Sequence, residues 1–353
     1  MRGDNVKSRV LSELAREKGA RVSGQELADS LGVTRAAVWK AIEKLREEGV
    51  PIDGASNKGY LLDPAADVLA EGAVRPRLSS GANPFYSELI FLKETTSTND
   101  VLREERFAAT PQAVVVCAER QTAGRGRYGR TFQSPRGSGL YFSLLLRPNR
   151  EIEAAVLVTA VAAVAGARAC EKIAPNRATG DVKIKWVNDL YLDGKKICGV
   201  LTEGTVSAET RKMERAILGV GFNLTVDPKD FPPELVDRVG GLFPIPAPPG
   251  ARAALLAAFL DEFRALYDPL FVSDDPTRRA EARESLLREY RDRQLLVGER
   301  IEVAERLDPD AKPRLATALG VDDDFRLLVA YDDDRGRVVA LNGEEARVAG
   351  ARR

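Results

Sequence analysis

Apolar residues recur with a helical period at Val6, Val10, Leu11 and Leu14, then at Leu27 and Leu31, then at Val38, Ile42 and Leu45. The breaks between these runs carry cap chemistry. Ser23-Gly24-Gln25-Glu26 fits a capping box, in which the Ser hydroxyl accepts from the third amide and the Glu carboxylate from the cap amide. Gly32 stops that helix, Thr34 caps the next, which runs to about Glu48, and Gly49 stops it. Val50–Ile52 and Tyr60–Leu62, joined through Gly54–Gly59, read as a hairpin. This order predicts a winged helix-turn-helix over residues 1–65. Arg35, Trp39, Lys40 and Lys44 would lie on or near the groove-facing side of its second paired helix, with Lys58 in the hairpin turn. A small helical protein-interaction module is the other reading, and 11 Lys/Arg against 10 Asp/Glu in this segment do not separate the two.

Residues 66–87 read as a linker with an entry helix, marked by Pro76, Gly81 and Pro84. Strand and helix patterns then alternate over 88–291. Strands are expected at Leu89–Leu92, Ala113–Ala118, Leu140–Leu146, Val182–Trp186, Asp189–Leu192, Ile197–Glu203 and Arg215–Asn223. Helices are expected at Ser97–Arg106, Ile152–Ile173, Arg252–Tyr267 and about Thr277–Arg291. This is an α+β layout, with a largely mixed or antiparallel sheet backed by helices. Over 292–353 short strands at Arg300–Ala304, Leu315–Val321, Arg326–Tyr331 and Val338–Ala340 suggest a small β-barrel. Asp322–Asp324 and Asp332–Asp334 read as solvated hairpin tips, and no metal-ligand set is assigned.

Composition narrows the chemistry. The 353 residues include no histidine, so imidazole bases, Ser-His or Cys-His nucleophiles and histidine-ligated metals are excluded. With 53 basic and 53 acidic side chains the chain has no bulk charge to draw it to nucleic acid. Cys117, Cys170 and Cys198 are far apart in sequence, which argues against a disulfide framework and fits a reducing cytoplasm. The N-terminus lacks a signal-peptide core, and Ala154–Ala169 is too short for a membrane span, so no membrane partner is expected.

Charge is nevertheless concentrated locally. From Arg120 to Arg150 there are seven Arg and no Asp or Glu, and the segment contains Gln121-Thr122-Ala123-Gly124-Arg125-Gly126-Arg127-Tyr128-Gly129-Arg130. Glycines let backbone amides approach a ligand, and guanidiniums bond carboxylate and phosphate oxygens in pairs. The loop therefore suits an anionic ligand, but it lacks the spacing of a standard phosphate loop. Lys183–Asp189 puts alternating lysines on a strand ending in Asn188-Asp189, and Gly219–Asn223 ends another strand with two glycines and Asn223. Either alone reads as a strand-to-turn junction, and Thr95–Asp100 reads equally as hydroxyl ligands or as a helix N-cap.

Together these pieces resemble the bifunctional biotin–protein ligases that double as biotin-operon repressors. The likeness rests on Ser97-Thr98-Asn99, the G-R-G-R-x-G-R loop Gly124–Arg130, K-W-x-N-D at Lys185–Asp189 and G-x-G-x-N at Gly219–Asn223, with a winged helix before them and Asn342-Gly343-Glu344 after. It implies a catalytic domain of the biotinyl/lipoyl-ligase type, related to class II aminoacyl-tRNA synthetases, and an SH3-like barrel. It implies ATP, biotin and Mg²⁺, adenylation of the biotin carboxylate, and transfer to one lysine of a biotin carboxyl carrier protein.

The resemblance also assigns roles at the matching positions. Ser97, Thr98, Gln121, Gly124, Arg125, Arg127, Lys185, Gly219 and Gly221 would bind biotin. Arg125, Arg127, Arg130, Phe132, Lys185, Asn188 and Asn223 would bind ATP and the adenylate. Arg127, Lys185 and Asp189 would carry the chemistry, with Asp189 orienting Lys185, binding Mg²⁺ indirectly or assisting the incoming amine. The family often has a third Arg where Tyr128 stands, Pro where Val187 stands and Trp where Phe132 stands. As a repressor the protein would form a homodimer when biotinyl-5'-AMP is bound and would place two winged helices on operator DNA. A ligase whose head no longer regulates, a transcription factor with a dead ligand-sensing domain, and a lipoate–protein ligase are the alternatives.

Overall fold

The computed structural model describes residues 2–55, 58–80, 82, 85–108, 110, 113–151, 154–177, 182–305, 312–334, 337–343 and 346–350. Ser56 and Asn57 of the expected hairpin turn, Gly81 and Pro84 of the linker, Ile152 at the expected helix start and Glu344 lie outside the described residues.

The head is built as its caps predict. α1 (Arg2–Arg16), α2 (Gly24–Leu31) and α3 (Arg35–Glu47) precede a two-stranded antiparallel wing, β1 (Ile52–Ala55) and β2 (Gly59–Leu62). Both halves of the Ser23/Glu26 capping box form, Thr34 accepts from the Ala37 amide, and Gly32 ends α2 in the left-handed region at φ 63°. Val10, Leu14, Leu27, Val38, Ile42, Leu45 and Tyr60 close its core.

The segment read as a linker is packed. α4 (Glu71–Val74) buries Ala73 and Val74 against α1 and α8, and a 3₁₀ turn at Arg75–Arg77 follows it alongside α8. Arg252, itself buried, donates to Asp67 (2.5 Å to Oδ2, 2.7 Å to the main-chain O) and to the Glu119 carboxylate. Glu48 at the end of α3 pairs with Lys7 of the head and with Lys93 beyond it, 2.7 Å each.

The central sheet starts with β3 (Tyr86–Leu92), three residues before the expected strand, because the Tyr86 ring is buried and its hydroxyl donates to the Leu260 carbonyl at 2.8 Å. α5 (Thr98–Arg103), β4 (Ala113–Ala118), β5 (Gly139–Leu146), β6 (Arg150–Glu151) and α6 (Ala154–Ile173) follow. Next come β7 (Lys183–Lys185), β8 (Asp189–Leu192), β9 (Lys195–Val206), β10 (Lys212–Asn223), α7 (Pro233–Val236), α8 (Ala251–Tyr267) and α9 (Pro276–Asp292). The strand order is β3-β4-β5-β10-β9-β8-β7 with β6 on β10; β3 and β4 run parallel and the remaining pairs antiparallel. α6 and α8 cover one face, and α5 packs on β4, β5 and β10 from the other, so β4 and β5 are buried throughout.

The expected helix Ser97–Arg106 is shorter. It stops at Glu104 (ψ 144°) and resumes as a 3₁₀ turn at Glu105–Phe107, where Arg215 and Arg147 take the Leu102, Phe107 and Ala108 carbonyls. Trp186 falls just past its expected strand: the β7–β8 ladder ends at Lys185–Asp189, and the Trp186 indole N–H donates 2.9 Å to the Phe325 carbonyl.

β11 (Arg300–Glu305), β12 (Arg314–Val321), β13 (Leu327–Tyr331), β14 (Val338–Leu341) and β15 (Ala346–Gly350) make an antiparallel sheet in the order β14-β13-β12-β11-β15. The pattern had missed β15. Among the described residues, no helix is long and apolar enough to cross a membrane.

Candidate functional site

The site lies where β3 and β4 end and where β9 and β10 expose their glycines. Ser97 and Thr98 open α5 and are 3% exposed. Ser97 makes no cap bond, so its burial is not explained by capping. The Thr98 hydroxyl lies 2.6 Å from Ser143 Oγ on β5 and 3.1 Å from Gln121 Oε1, which also accepts the Thr98 amide at 2.9 Å. Gln121 Nε2 donates to Ser134 Oγ at 2.9 Å. Gln121 lies three residues past the end of β4, and Glu119 between them is held by Arg252, so the loop is anchored at its root.

The Arg/Gly segment folds back on itself. The Phe132 amide donates to the Gly124 carbonyl at 2.8 Å and the Gly126 amide to the Arg130 carbonyl at 2.7 Å. Arg125 pairs with Asp100 of α5. Arg127 donates to the Gly343 carbonyl and to the Tyr128 hydroxyl, and stacks 4.7 Å from the Tyr128 ring. Tyr128 itself donates to Gly343 from a left-handed backbone (φ 65°). Where the resemblance anticipated a third Arg, the aromatic ring buttresses its neighbour.

Two glycine positions decide the floor. A Cβ on Gly219 would sit 2.5 Å from Asn99 Oδ1, and one on Gly221 would sit 2.5 Å from the Phe132 ring. Gly199 opposes Gly221 across the β9–β10 ladder and also lies under Phe132. Paired positions without side chains make a slot for a flat group, and the Phe132 ring occupies it.

Lys185 on β7 is half-buried, and burial pushes its ammonium below the usual lysine range, with Lys196, Arg130 and Arg238 adding repulsion and Asp189 opposing the shift. Asp189 lies opposite it in the β7–β8 register but makes its ion pair with Lys196, 2.7 Å from Oδ1. Lys196 Nζ lies 6.0 Å from the Phe132 centroid and 3.2 Å from where a Gly199 Cβ would stand. Asn188 donates to the Val200 carbonyl and Asn223 to the Lys196 carbonyl (3.4 Å), so both amides brace β9.

Of the residues singled out in the sequence, Ser97, Thr98, Gln121, Gly124, Phe132, Gly219, Gly221, Lys185 and Asp189 converge here. Arg125 and Arg127 are turned to Asp100 and Gly343, and the Arg130 side chain makes no hydrogen bond or ion pair among the described residues. Sequence reading missed Lys196, Ser143 and Glu203, and gave Asn99 no role beyond its place in the Ser97-Thr98-Asn99 motif. Lys196 follows the Asp193-Gly194 turn onto the strand facing Asp189, and Ser143 is a fully buried hydroxyl amid apolar β5; both were visible signals. Among the described residues no group of three or more acids or cysteines could hold a metal.

On the head, Arg35, Lys40, Lys44 and Lys58 are exposed, and Trp39 is 55% exposed despite its size. All but Lys58 project from α3.

Comparison with known proteins places both regions. Residues 91–223 match the biotin/lipoate A/B protein ligase family, and residues 7–61 match a helix-turn-helix domain. The chain is 38% identical over 216 residues to the bifunctional ligase/repressor BirA of Bacillus subtilis (strain 168), covering 61% of this chain and 64% of that one. It is 37% identical over 231 residues to the Bacillus spizizenii protein of the same name, covering 64% and 68%. The chain thus spans about two thirds of the length of the curated relatives it matches. A biotin protein ligase from Aquifex aeolicus, solved with biotin and ATP, superposes with a TM-score of 0.59 at 25% identity, covering 75% of this chain and all of that one.

Proposed function

This chain belongs to the family of bifunctional ligase/repressors among the biotin/lipoate A/B protein ligases, and from that premise we propose that it is an ATP-dependent biotin–protein ligase and biotin-responsive repressor. The observation that carries the ligase reading is the meeting of Lys196, Asp189 and Lys185 with the Gly199/Gly221 slot and the Arg/Gly loop.

The chemistry is the joining of two anions. A biotin carboxylate oxygen forms a bond to the ATP α-phosphorus while the bond to pyrophosphate breaks. That carboxylate has a reference pKa of about 4, so it arrives ionised and needs no base. Repulsion is the obstacle, and fixed cations in a partly dry site offset it. Lys196 and Lys185 supply charge from the sheet. Arg125 and Arg127 supply it from the loop by exchanging Asp100 and Gly343 for ligand oxygens. Phe132 would cover the adenylate, and loop closure would keep water from the mixed anhydride.

Mg²⁺ typically keeps its waters and substrate phosphates and needs only one or two carboxylates, and Asp189 fits that demand as the acid beside Lys196. Bound there, it would neutralise phosphate charge. In the second step the amine of a carrier-protein lysine attacks the acyl carbon, AMP leaves, and the amine proton is lost. With no histidine in the chain, Asp189, the departing phosphate or water must accept it.

For regulation, α3 presents Arg35, Trp39, Lys40 and Lys44 to operator DNA, with Lys58 on the wing, and biotinyl-5'-AMP as corepressor favours a homodimer matching a two-fold site. We read the C-terminal sheet as an SH3-like barrel and the setting as cytoplasmic. The test incubates the full chain with ATP, Mg²⁺, biotin and an apo biotin carboxyl carrier domain. Pyrophosphate release and acceptor biotinylation are expected; activity with lipoate in place of biotin would overturn the reading.

A further inference from the structure

A chain of polar side chains runs under the biotin end of the site, and its far end is an acid with no role so far. Glu203, on β9, accepts from the Asn99 side-chain amide at 2.6 Å and pairs through its other oxygen with Arg103. Asn99 Oδ1 then meets Ser143 Oγ, which lies 2.6 Å from Thr98 Oγ1, which lies 3.1 Å from Gln121 Oε1. Ser143, Thr98 and Asn99 are all buried, so no bulk water rearranges these contacts.

The protons in this chain can be counted. A carboxylate only accepts, so Glu203 forces the NH₂ of Asn99 outward and its carbonyl oxygen inward. That oxygen also only accepts, so Ser143 must donate its single hydrogen to it. Ser143 then offers only lone pairs to Thr98, and at 2.6 Å the contact requires a proton, so Thr98 donates. Three contacts share two hydroxyl hydrogens, and the longest, Thr98 to Gln121 at 3.1 Å, is left without one. The Gln121 amide is fixed independently: its NH₂ faces Ser134, whose hydrogen goes to the Phe132 carbonyl at 3.1 Å. Thr98 Oγ1 and Gln121 Oε1 therefore face each other as two acceptors.

We propose that Glu203 is a positioning and specificity residue: through Asn99 and Ser143 it locks Thr98 as an acceptor, so that with Gln121 it demands N–H donors from the ligand ring. The inference rests on the biotin reading and deepens it. A cyclic urea offers two N–H groups to such a wall. A dithiolane ring offers none: it leaves Thr98 Oγ1 without a ligand donor and Gln121 Oε1 with the Thr98 amide alone, the kind of mismatch that polar sites reject strongly. The relay is carried by orientation, and Glu203 itself touches no substrate.

The experiment measures adenylate formation by the full chain against biotin concentration at saturating ATP, with thermal melting in parallel. In Glu203→Gln either end of the new amide can face Asn99, so the lock is lost. The KM for biotin is expected to rise about tenfold, the cost of one disrupted buried hydrogen bond, while kcat and the KM for ATP hold within about twofold. Glu203→Asp should recover part of the loss. Ser143→Ala, which breaks the relay without touching the Arg103 pair, should reproduce it and serves if the first variant folds poorly. A biotin KM within twofold of the parent in both variants overturns the proposal. So does a fall in kcat that tracks a lower melting temperature, because that marks a structural role only. Failure of the parent chain to adenylate biotin overturns the functional reading itself, and is seen before any variant is made.

Discussion

Arg35, Lys40 and Lys44 on α3 stand in solvent with no acid or carbonyl opposite them among the described residues, whereas Arg125, Arg127 and Lys196 around the central sheet are each already engaged. The two surfaces use the same side-chain chemistry in opposite ways. Solvated cations act at long range through a screened field and release counterions from a polyanion, so their effect is additive and fades with salt. Engaged cations act only when a ligand oxygen replaces Asp100, Gly343 or Asp189, so each binding event is an exchange. The exchange lowers raw affinity for stray anions and ties loop position to the ligand. Residues 1–65 carry almost no net charge, so α3 must present its cations on one face to act at all.

The strongest way to break this contrast is at Lys196. Lys196→Ala should slow single-turnover pyrophosphate release by about 10²–10³, the scale for removing one preorganised electrostatic donor. A loss below tenfold would mean that Asp189, not the ligand, is its real partner. Next in size is the combined change of Arg35, Lys40 and Lys44 to Ala. Operator binding measured against salt should lose about 0.9 in log–log slope per abolished phosphate contact, with adenylation untouched. An unchanged slope would remove α3 from the DNA interface.

The smallest effect belongs to Glu48, which joins the two regions. Burial raises its carboxyl, but hydrogen bonds and charge from Lys7 and Lys93 outweigh this and hold it below the ordinary 4.5. A depressed acid contributes stability that is present above pH 4.5 and is lost as pH falls through the lowered value. Glu48→Gln should cost about 0.5–1 kcal/mol at neutral pH and nothing below that window, read by denaturant melts at both pH values. Equal costs at both would show that packing, not charge, makes the contact.

Caps and periodicity made the head legible, because each helix end there is fixed by local chemistry at Ser23, Gly32 and Thr34. β4 and β8 were legible end to end for the same local reason: their patterns change sharply at both ends. α5 was over-extended, since arginines distant in sequence, Arg147 and Arg215, take the carbonyls where it stops. Within the site, motif residues could be named, but their partners could not. The pairing of Asp189 with Lys196 depends on a strand register, and the Asn99–Glu203 bond spans more than a hundred residues. Asn188 and Asn223, which the resemblance assigns to the nucleotide, also donate to the Val200 and Lys196 carbonyls, contacts that only the strand register reveals.

Arg252 sets a rule for anyone re-engineering the chain. Its guanidinium is buried between Asp67, upstream of the sheet, and Glu119, at the root of the Arg/Gly loop. A head exchanged for another DNA-binding cassette, or removed to make a compact labelling tool, has to be cut upstream of Asp67. A junction placed a few residues later would leave the acid with the discarded half, and the half-neutralised arginine would sit under the very loop the tool depends on.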